Sequence, residues 1–185
     1  KDELGEMILP QPSLIGDHQI YNISTSIAAS RKIFNISESN IKNSMKKMRL
    51  KGRLEEIKSG KLKNLIGENR LIIDGGHNIN SAISISQWVK QQNEKVHLIC
   101  GMMNDKPHKE FVGQFEKSVN SITLIDIPNQ VGSISKEEFK KKLGNKNIHT
   151  AESIEESLLM NNKDENCIFL CAGSLYLAGE VLNLN

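Results

Sequence analysis

The feature that most constrains this fold is a strict alternation of strand-like and helix-like segments from residue 70 onward. Short apolar runs occur at residues 71–73, 96–100, 122–127 and 167–172, with a weaker strand near Ile148. Segments with helical periodicity follow at residues 78–91, 108–119, 135–143, 153–160 and 174–182. Repeated strand–helix units bury a mostly parallel sheet between two helical layers. The sequence therefore predicts an α/β domain with helices on both faces of the sheet and leaves the strand order open.

The preceding part of the chain, residues 13–57, has a different pattern. A first helix is predicted from apolar residues at helical spacing, namely Ile20, Ile23, Ile27 and Phe34. A second helix begins at Ser37, a good N-cap, and carries Ile41, Met45 and Met48 on one face. Residues 53–57 are expected to form a short strand, and the polar residues 58–69, with two glycines, a linker or hairpin.

Composition excludes several classes of protein. The chain has 185 residues, of which 38% are hydrophobic and 25% charged, within the ordinary globular range. A net charge of only +2 argues against a nucleic-acid-binding surface, and no apolar run is long enough for a membrane span. Cys100, Cys167 and Cys171 lie in or beside apolar runs, which favours reduced core thiols in a cytoplasmic protein. The chain begins without methionine, consistent with an excerpt or a processed product.

Polar residues directly follow three of the predicted strands. Asp74 and His77 follow the first, Asp105 and Lys106 come shortly after the second, and Ser174 follows the last. Each group alone could be no more than a turn or a helix cap. In parallel sheets, however, ligands bind at the carboxyl ends of strands, so three such groups together favour a binding site. Neither a GxxxxGK[ST] phosphate-binding loop nor a GxGxxG dinucleotide motif is present in the sequence.

Five short motifs resemble those of folylpolyglutamate and dihydrofolate synthases, ATP-driven ligases of the Mur-ligase type. Residues 16–22, GDHQIYN, resemble GxHQxxN; residues 52–55, GRLE, resemble PGRxE without its proline; and residues 74–78, DGGHN, resemble the start of DGAHNP. Gly101 with Asp105 and Lys106 resembles GxxxDKD, and residues 173–181 match GSLYLAGEV almost letter for letter. The motifs occur in the family's order and span nearly the whole chain.

The resemblance implies an enzyme that joins L-glutamate to a folate, to dihydropteroate or to both, using ATP and Mg²⁺ through an acyl phosphate. It implies that residues 67–185 form a Rossmann-like glutamate-ligase domain of Mur-ligase type. Residues 1–66 would then be the end of a central P-loop ATPase domain. The P-loop and the magnesium ligands are expected upstream, so this chain alone is expected to be inactive. Its partners would be small molecules, with no nucleic acid and no membrane, and the protein is expected to be a monomer.

Residue roles also follow from the resemblance. It implies ATP contacts at Asn22, Arg53 and Asp74, catalytic roles for Arg53 and His77, and glutamate contacts at His77 and Ser174. Arg53 is a planar, permanently charged donor that suits the charge on a transferring phosphoryl group. Ser174, at a helix start, offers a hydroxyl and backbone N–H groups to a carboxylate.

The sequence departs from the family at four positions within these motifs, the first being Lys51 where the family has the proline of PGRxE. Gly76 stands where the family has alanine, Ile79 where it has proline, and Pro107 where it has the second aspartate of DKD. Two alternatives stay open: a Mur-type ligase of peptidoglycan precursors, and a non-enzymatic α/β binding module whose strand ends are mere turns. Whether Asp74, His77 and Ser174 share one cleft would separate the binding module from the ligases.

Overall fold

The computed structural model describes residues 1–12, 14, 17–144 and 147–185, with only the backbone described for Asp17 and His18. It divides the chain into two compact units, Lys1–Lys51 and Gly52–Asn185. Residues 52–66, assigned from the sequence to the first part, fold with the second unit. They do so because their strand pairs with the sheet of that unit.

The first unit contains two helices, α1 (Asp17–Ile33) and α2 (Glu38–Lys47). Ser37 caps α2, its hydroxyl accepting a hydrogen bond from Asn40 N at 3.2 Å, as its position in the sequence predicted. The core of this unit is formed by Leu14, Ile23, Ile41 and Met45. The predicted apolar face of this helix is wrong at Ile20, which is 41% exposed, and at Phe34, which follows the end of α1 and is 62% exposed. Ser13 and Gly16, which open the first helical region and the first motif, lie outside the described residues.

The second unit is built on a six-stranded sheet. Its strands are β1 (Glu55–Ile57), β2 (Arg70–Asp74), β3 (Lys95–Cys100), β4 (Ser121–Leu124), β5 (Ile148–Thr150) and β6 (Cys167–Ala172). The order across the sheet is β1-β2-β6-β3-β4-β5, and all neighbours are parallel except the β1–β2 pair. β6 therefore lies between β2 and β3, which places the ends of these three strands side by side.

Helices cover both faces of the sheet, as the alternating pattern predicted. They are α3 (Lys61–Leu65), α4 (Ile79–Lys90), α5 (His108–Gly113), α6 (Lys136–Leu143), α7 (Ile154–Met160) and α8 (Leu175–Leu184). One core lies between the sheet and α4, α5 and α6; the other lies between the sheet and α3, α7 and α8. β6 supplies Ile168, Leu170 and Ala172 to the first core and Cys167, Phe169 and Cys171 to the second, as its period of two requires. Both faces of this strand are therefore buried.

The linker expected over residues 58–69 is wrong, because these residues contain helix α3. Leu62 is fully buried in the second core. Asn185 holds the start of α3 by accepting hydrogen bonds from Lys61 N at its carbonyl, 3.0 Å, and from Lys63 N at its Oδ1, 3.1 Å. Residues at the far end of the chain thus order a segment that looks polar and loop-like in sequence.

The three cysteines are free and buried, consistent with the predicted core thiols. Burial raises the pKa of the Cys171 thiol to about 12 and that of Cys167 to about 11. These thiols therefore stay protonated and unreactive. In the described part of the chain no helix is both long and apolar enough to cross a bilayer.

Candidate functional site

The loops that follow β2, β6 and β3 meet at one point. Gly173 N donates a hydrogen bond to Gly76 O at 3.0 Å, which joins the loop after β6 to the loop after β2. A Cβ on Gly173 would lie 2.8 Å from Gly101 O, the first residue after β3. Gly173 has φ of +114°, a conformation that suits glycine. The three polar groups predicted at separate strand ends are therefore brought together.

A cleft of about 300 Å³ opens at this meeting point. It is lined by His77, Met103, Asp105, Lys106, Ser174, Leu175 and Tyr176. His77 and Ser174, both expected from the motifs to contact one substrate, line this cleft. Asp74 is not among the residues that line the cleft, and it is buried.

Asp74 holds the backbone of two neighbouring loops. Its Oδ2 accepts a hydrogen bond from Leu54 N at 2.9 Å, and its Oδ1 accepts one from Gly76 N at 2.6 Å. Gly75 N also donates to Gly52 O at 2.8 Å. The carboxylate thereby ties the loop of residues 52–54 to the end of β2.

Arg53 is half-buried and belongs to the loop that Asp74 fixes. Its Nη1 donates to Gly52 O at 3.3 Å, and a Cβ on Gly75 would lie 3.2 Å from the same nitrogen. Arg53 thus lies beside the DGGHN loop, and its guanidinium retains further N–H donors with which it could bind an anionic group.

His77 lines the cleft with its ring held by the backbone. Its Nδ1 lies 3.0 Å from Gly75 O. Because a carbonyl oxygen only accepts hydrogen bonds, Nδ1 carries the proton in this contact. In the neutral ring, Nε2 is then a hydrogen-bond acceptor.

Ser174 is the N-cap of α8 and is 2% exposed. Its Oγ accepts a hydrogen bond from Tyr176 N at 3.1 Å. A hydroxyl has a donor as well as acceptor capacity, so Ser174 can also donate to a ligand. The positive end of the α8 dipole lies at the same place, so this corner of the cleft favours an anion.

Lys106 lines the same cleft, although it was not assigned a role from the sequence. Its Nζ lies 2.8 Å from Asp105 Oδ2. The hydrogen bond from Lys106 lowers the pKa of the Asp105 carboxyl, and the charge interaction with His77 acts in the same direction. The cleft therefore offers one carboxylate and one ammonium group. The signal for Lys106 was its position after β3, which was noted in the sequence without a role being assigned to it.

Asn22 belongs to α1 in the first unit and is exposed. Its side-chain amide donates to Gln19 Oε1 at 3.4 Å. Its expected contact with ATP stays a prediction, as do those of Arg53 and Asp74. Within the described ranges, no group of three or more His, Cys, Asp or Glu side chains could hold a metal ion.

The sequence matches the family described as "Mur ligase, glutamate ligase domain" over residues 52–175, and the chain belongs to that family. A curated relative is the dihydrofolate synthase/folylpolyglutamate synthase of Buchnera aphidicola subsp. Schizaphis graminum. It is 24% identical over 170 residues, which cover 87% of this chain and 38% of the relative. The resemblance to folylpolyglutamate and dihydrofolate synthases stated from the motifs is therefore confirmed. The chain spans about two fifths of the length of this relative.

Solved structures share the fold. The folylpolyglutamate synthase of Mycobacterium tuberculosis complexed with ADP and AMPPCP has a TM-score of 0.80 at 17% identity, over 94% of this chain and 41% of that one. The bifunctional enzyme of Yersinia pestis complexed with AMPPNP and Mn ion has a TM-score of 0.76 at 18% identity, over 96% and 41%. E. coli FolC in complex with DHPP and ADP has a TM-score of 0.72 at 21% identity, over 95% and 40%.

Proposed function

We propose that this chain forms the glutamate-binding part of an ATP-dependent amide ligase that adds L-glutamate to folates, to dihydropteroate or to both through an acyl phosphate. The observation that carries the proposal is the cleft shared by His77, Lys106 and Ser174 at the carboxyl ends of β2, β3 and β6. Family membership and the enzymes with which the chain shares its fold support the same reaction class.

The charges of the cleft complement an amino dicarboxylic acid. Glutamate carries two carboxylates and one ammonium group. Lys106 and the start of α8 at Ser174 can each receive a carboxylate. Asp105 supplies an anion for the ammonium group. A binding module whose strand ends are mere turns would not require opposite charges and a helix start to face one cleft.

The nucleotide would be shared with a part of the protein outside these 185 residues. No phosphate-binding loop motif occurs in the sequence, so Arg53 is the group best placed to meet phosphate charge. Asp74 fits a supporting role, since the hydrogen bond that it accepts from Leu54 N holds the Arg53 loop to the end of β2. When bound, ATP would supply the phosphoryl group that activates the folate carboxylate. We infer that the chain alone binds ATP weakly and does not catalyse ligation.

Titration calorimetry of the chain with L-glutamate tests the proposal. Ser174→Ala removes a donor to a charged group, which costs about 1.5–3 kcal/mol, so we expect a roughly tenfold to hundredfold loss of affinity. Lys106→Met should weaken binding by a comparable factor. L-Glutamine, which lacks the side-chain carboxylate, should bind more weakly than L-glutamate.

Lys109→Met is the matched control. Lys109 is an exposed lysine of α5 that does not line the cleft, so its loss removes the same charge from nearby. The affinity of the Lys109→Met variant for glutamate should equal that of the unchanged chain. Equal losses in Lys106→Met and Lys109→Met would show that only net charge matters and would contradict the assignment of this cleft.

A further inference from the structure

The tautomer of His77 is fixed by the fold. Gly75 O can only accept, so Nδ1 of His77 holds the proton and Nε2 holds a lone pair in the neutral ring. Gly75 is itself fixed by the hydrogen bond from its N–H to Gly52 O at 2.8 Å. The imidazole therefore enters the cleft as a proton acceptor in a defined orientation.

The other titratable groups that face the cleft are poorly suited to accept a proton. Lys106 forms an ion pair with Asp105, and that contact lowers the pKa of the Asp105 carboxyl, so Asp105 is a weak base. The Ser174 hydroxyl is a far weaker base, and Tyr176 contributes a phenol. Arg53, beside Gly75, is a permanent cation. Among the described lining residues, His77 thus offers the unpaired ring nitrogen that a general base requires.

Asp105 complements this role because it carries a negative charge near the ring. Its charge interaction with His77 is favourable when the ring is protonated. A proton accepted at Nε2 would therefore leave an imidazolium stabilised by a carboxylate across the cleft. The same carboxylate attracts an incoming ammonium group.

We propose that Nε2 of His77 accepts a proton from the amino group of the incoming amino acid, an inference that rests on the ligation proposed above. The ammonium nitrogen first gives one proton to Nε2 and becomes a nucleophilic amine. Its lone pair then forms the N–C bond to the acyl phosphate carbon, while the C–O bond breaks and its electron pair leaves with phosphate. The second proton leaves the nitrogen and is carried away by the departing phosphate. This assigns His77 to the amino group and leaves the carboxylates to Lys106 and Ser174.

The test uses the chain labelled with ¹⁵N in its histidine rings and two ligands that differ in one group. L-Glutamate carries the amino group, and glutarate has both carboxylates without it. Without ligand, long-range ¹⁵N–¹H correlation spectra should show a protonated Nδ1 and an unprotonated Nε2 for His77. Glutamate should shift the Nε2 signal strongly, whereas the shift that glutarate causes should be only a small fraction of that.

Two variants complete the experiment. His77→Asn keeps a donor for Gly75 O without the Nε2 acceptor, and it removes one of the five imidazole signals, which assigns it. His149→Asn is the control, because His149 is an exposed histidine of β5 that is outside the cleft lining. The glutamate response should persist in the His149 variant.

The outcomes separate the two proposals. Equal Nε2 shifts with glutamate and glutarate would mean that His77 binds a carboxylate. That result would contradict the role of His77 as a general base and leave the proposed glutamate site intact. An unprotonated Nδ1 would also overturn the base. If neither ligand shifts His77 or the Tyr176 amide, the glutamate site itself is wrong.

Discussion

Gly173 is the residue on which the geometry of the cleft depends most directly. A Cβ at this position would meet Gly101 O at 2.8 Å, Cys100 Sγ at 2.9 Å and Met102 Cγ at 2.9 Å. Its N–H also bonds to Gly76 O, so the loops after β6 and β2 approach each other without a side chain between them. Any larger residue would push these loops apart.

We therefore expect Gly173→Ala to destabilise the second unit by roughly 2–4 kcal/mol, through a strained positive φ and close contact with backbone atoms. Gly179→Ala in α8 is the matched control. A Cβ there meets nothing within 4 Å, so this variant should be neutral or up to about 1 kcal/mol more stable. Urea denaturation followed by Trp88 fluorescence measures both. A Gly173 variant as stable as the control would refute the packing argument.

Two departures from the DGAHNP motif are physically linked. A methyl group at Gly76 would lie 2.7 Å from Ser81 Cβ, so alanine is excluded by Ser81. Ser81 is present because it forms a capping box with Asn78: Ser81 N donates to Asn78 Oδ1 at 2.9 Å, and Asn78 N donates to Ser81 Oγ at 3.1 Å. This box fixes the start of α4 without the proline that stands at the position of Ile79 in the resembling motif.

At the scale of elements, β3 contains a buried histidine toward its amino end, away from the cleft at its carboxyl end. His97 is 3% exposed; its Nδ1 lies 2.8 Å from Ser121 Oγ, and its Nε2 lies 3.1 Å from Asp164 Oδ2 without satisfying hydrogen-bond geometry. Burial lowers the pKa of His97, although Asp164 acts in the opposite direction. Burial also lowers the pKa of His108 at the start of α5.

These shifts predict that the second unit loses stability as the pH falls from 7.5 to 5.5. Below about pH 6.5 the unfolded histidines bind protons that the folded ones resist, so the free energy of unfolding decreases. The decrease is at most about 1.4 kcal/mol per pH unit for each histidine. Urea titrations at several pH values, with Trp88 fluorescence as the probe, measure it. His97→Gln should flatten the dependence, whereas the exposed His149→Gln should not. Equal slopes in all three proteins would exclude a contribution from His97.

Elements with strong local patterns could be predicted from the sequence, and elements ordered by distant residues could not. The runs that form β2, β3 and β6 are apolar throughout because both faces of the sheet are covered. Helix α3 was missed because Leu62 is the single buried residue of that helix and Asn185 fixes its start. That His77 and Ser174 lie near each other could be predicted because each follows a strand of the same parallel sheet. The hydrogen bond from Leu54 N to Asp74 could not be predicted, because no local sequence pattern indicates a contact between residues 20 positions apart.

The chain divides into two units between Lys51 and Gly52. Arg49, Leu50 and Lys51 are exposed and lie outside the regular elements. By contrast, Lys61 and Lys63 lie in α3, which Asn185 and the second core hold in place. The segment that unfolds locally most easily is therefore expected just before residue 52.

Limited trypsin digestion should accordingly cut after Arg49 or Lys51 before it cuts at Lys61 or Lys63, since proteases need a locally unfolded segment. Mass spectrometry of the early products measures the order of cleavage. Asn185→Ala removes the side-chain hydrogen bonds to Lys63 N in α3 and to Ser59 O just before it, and should make Lys61 and Lys63 more sensitive without changing the first cut. Early cleavage within residues 58–69 of the unchanged chain would contradict this boundary.

The position of β6 also determines the order in which the second unit can fold. β2 and β3 are not neighbours; each pairs with β6, the last strand in the chain. A chain growing from its N-terminus can pair β1 with β2 and β3 with β4 and β5, but these two halves remain separate until residues 167–172 emerge. Late pairing between segments far apart in sequence is slow, because a long loop must close first. During synthesis, the apolar edges of β2 and β3 would stay exposed until residues 167–172 are made, so this unit has most need of a chaperone just before β6 pairs.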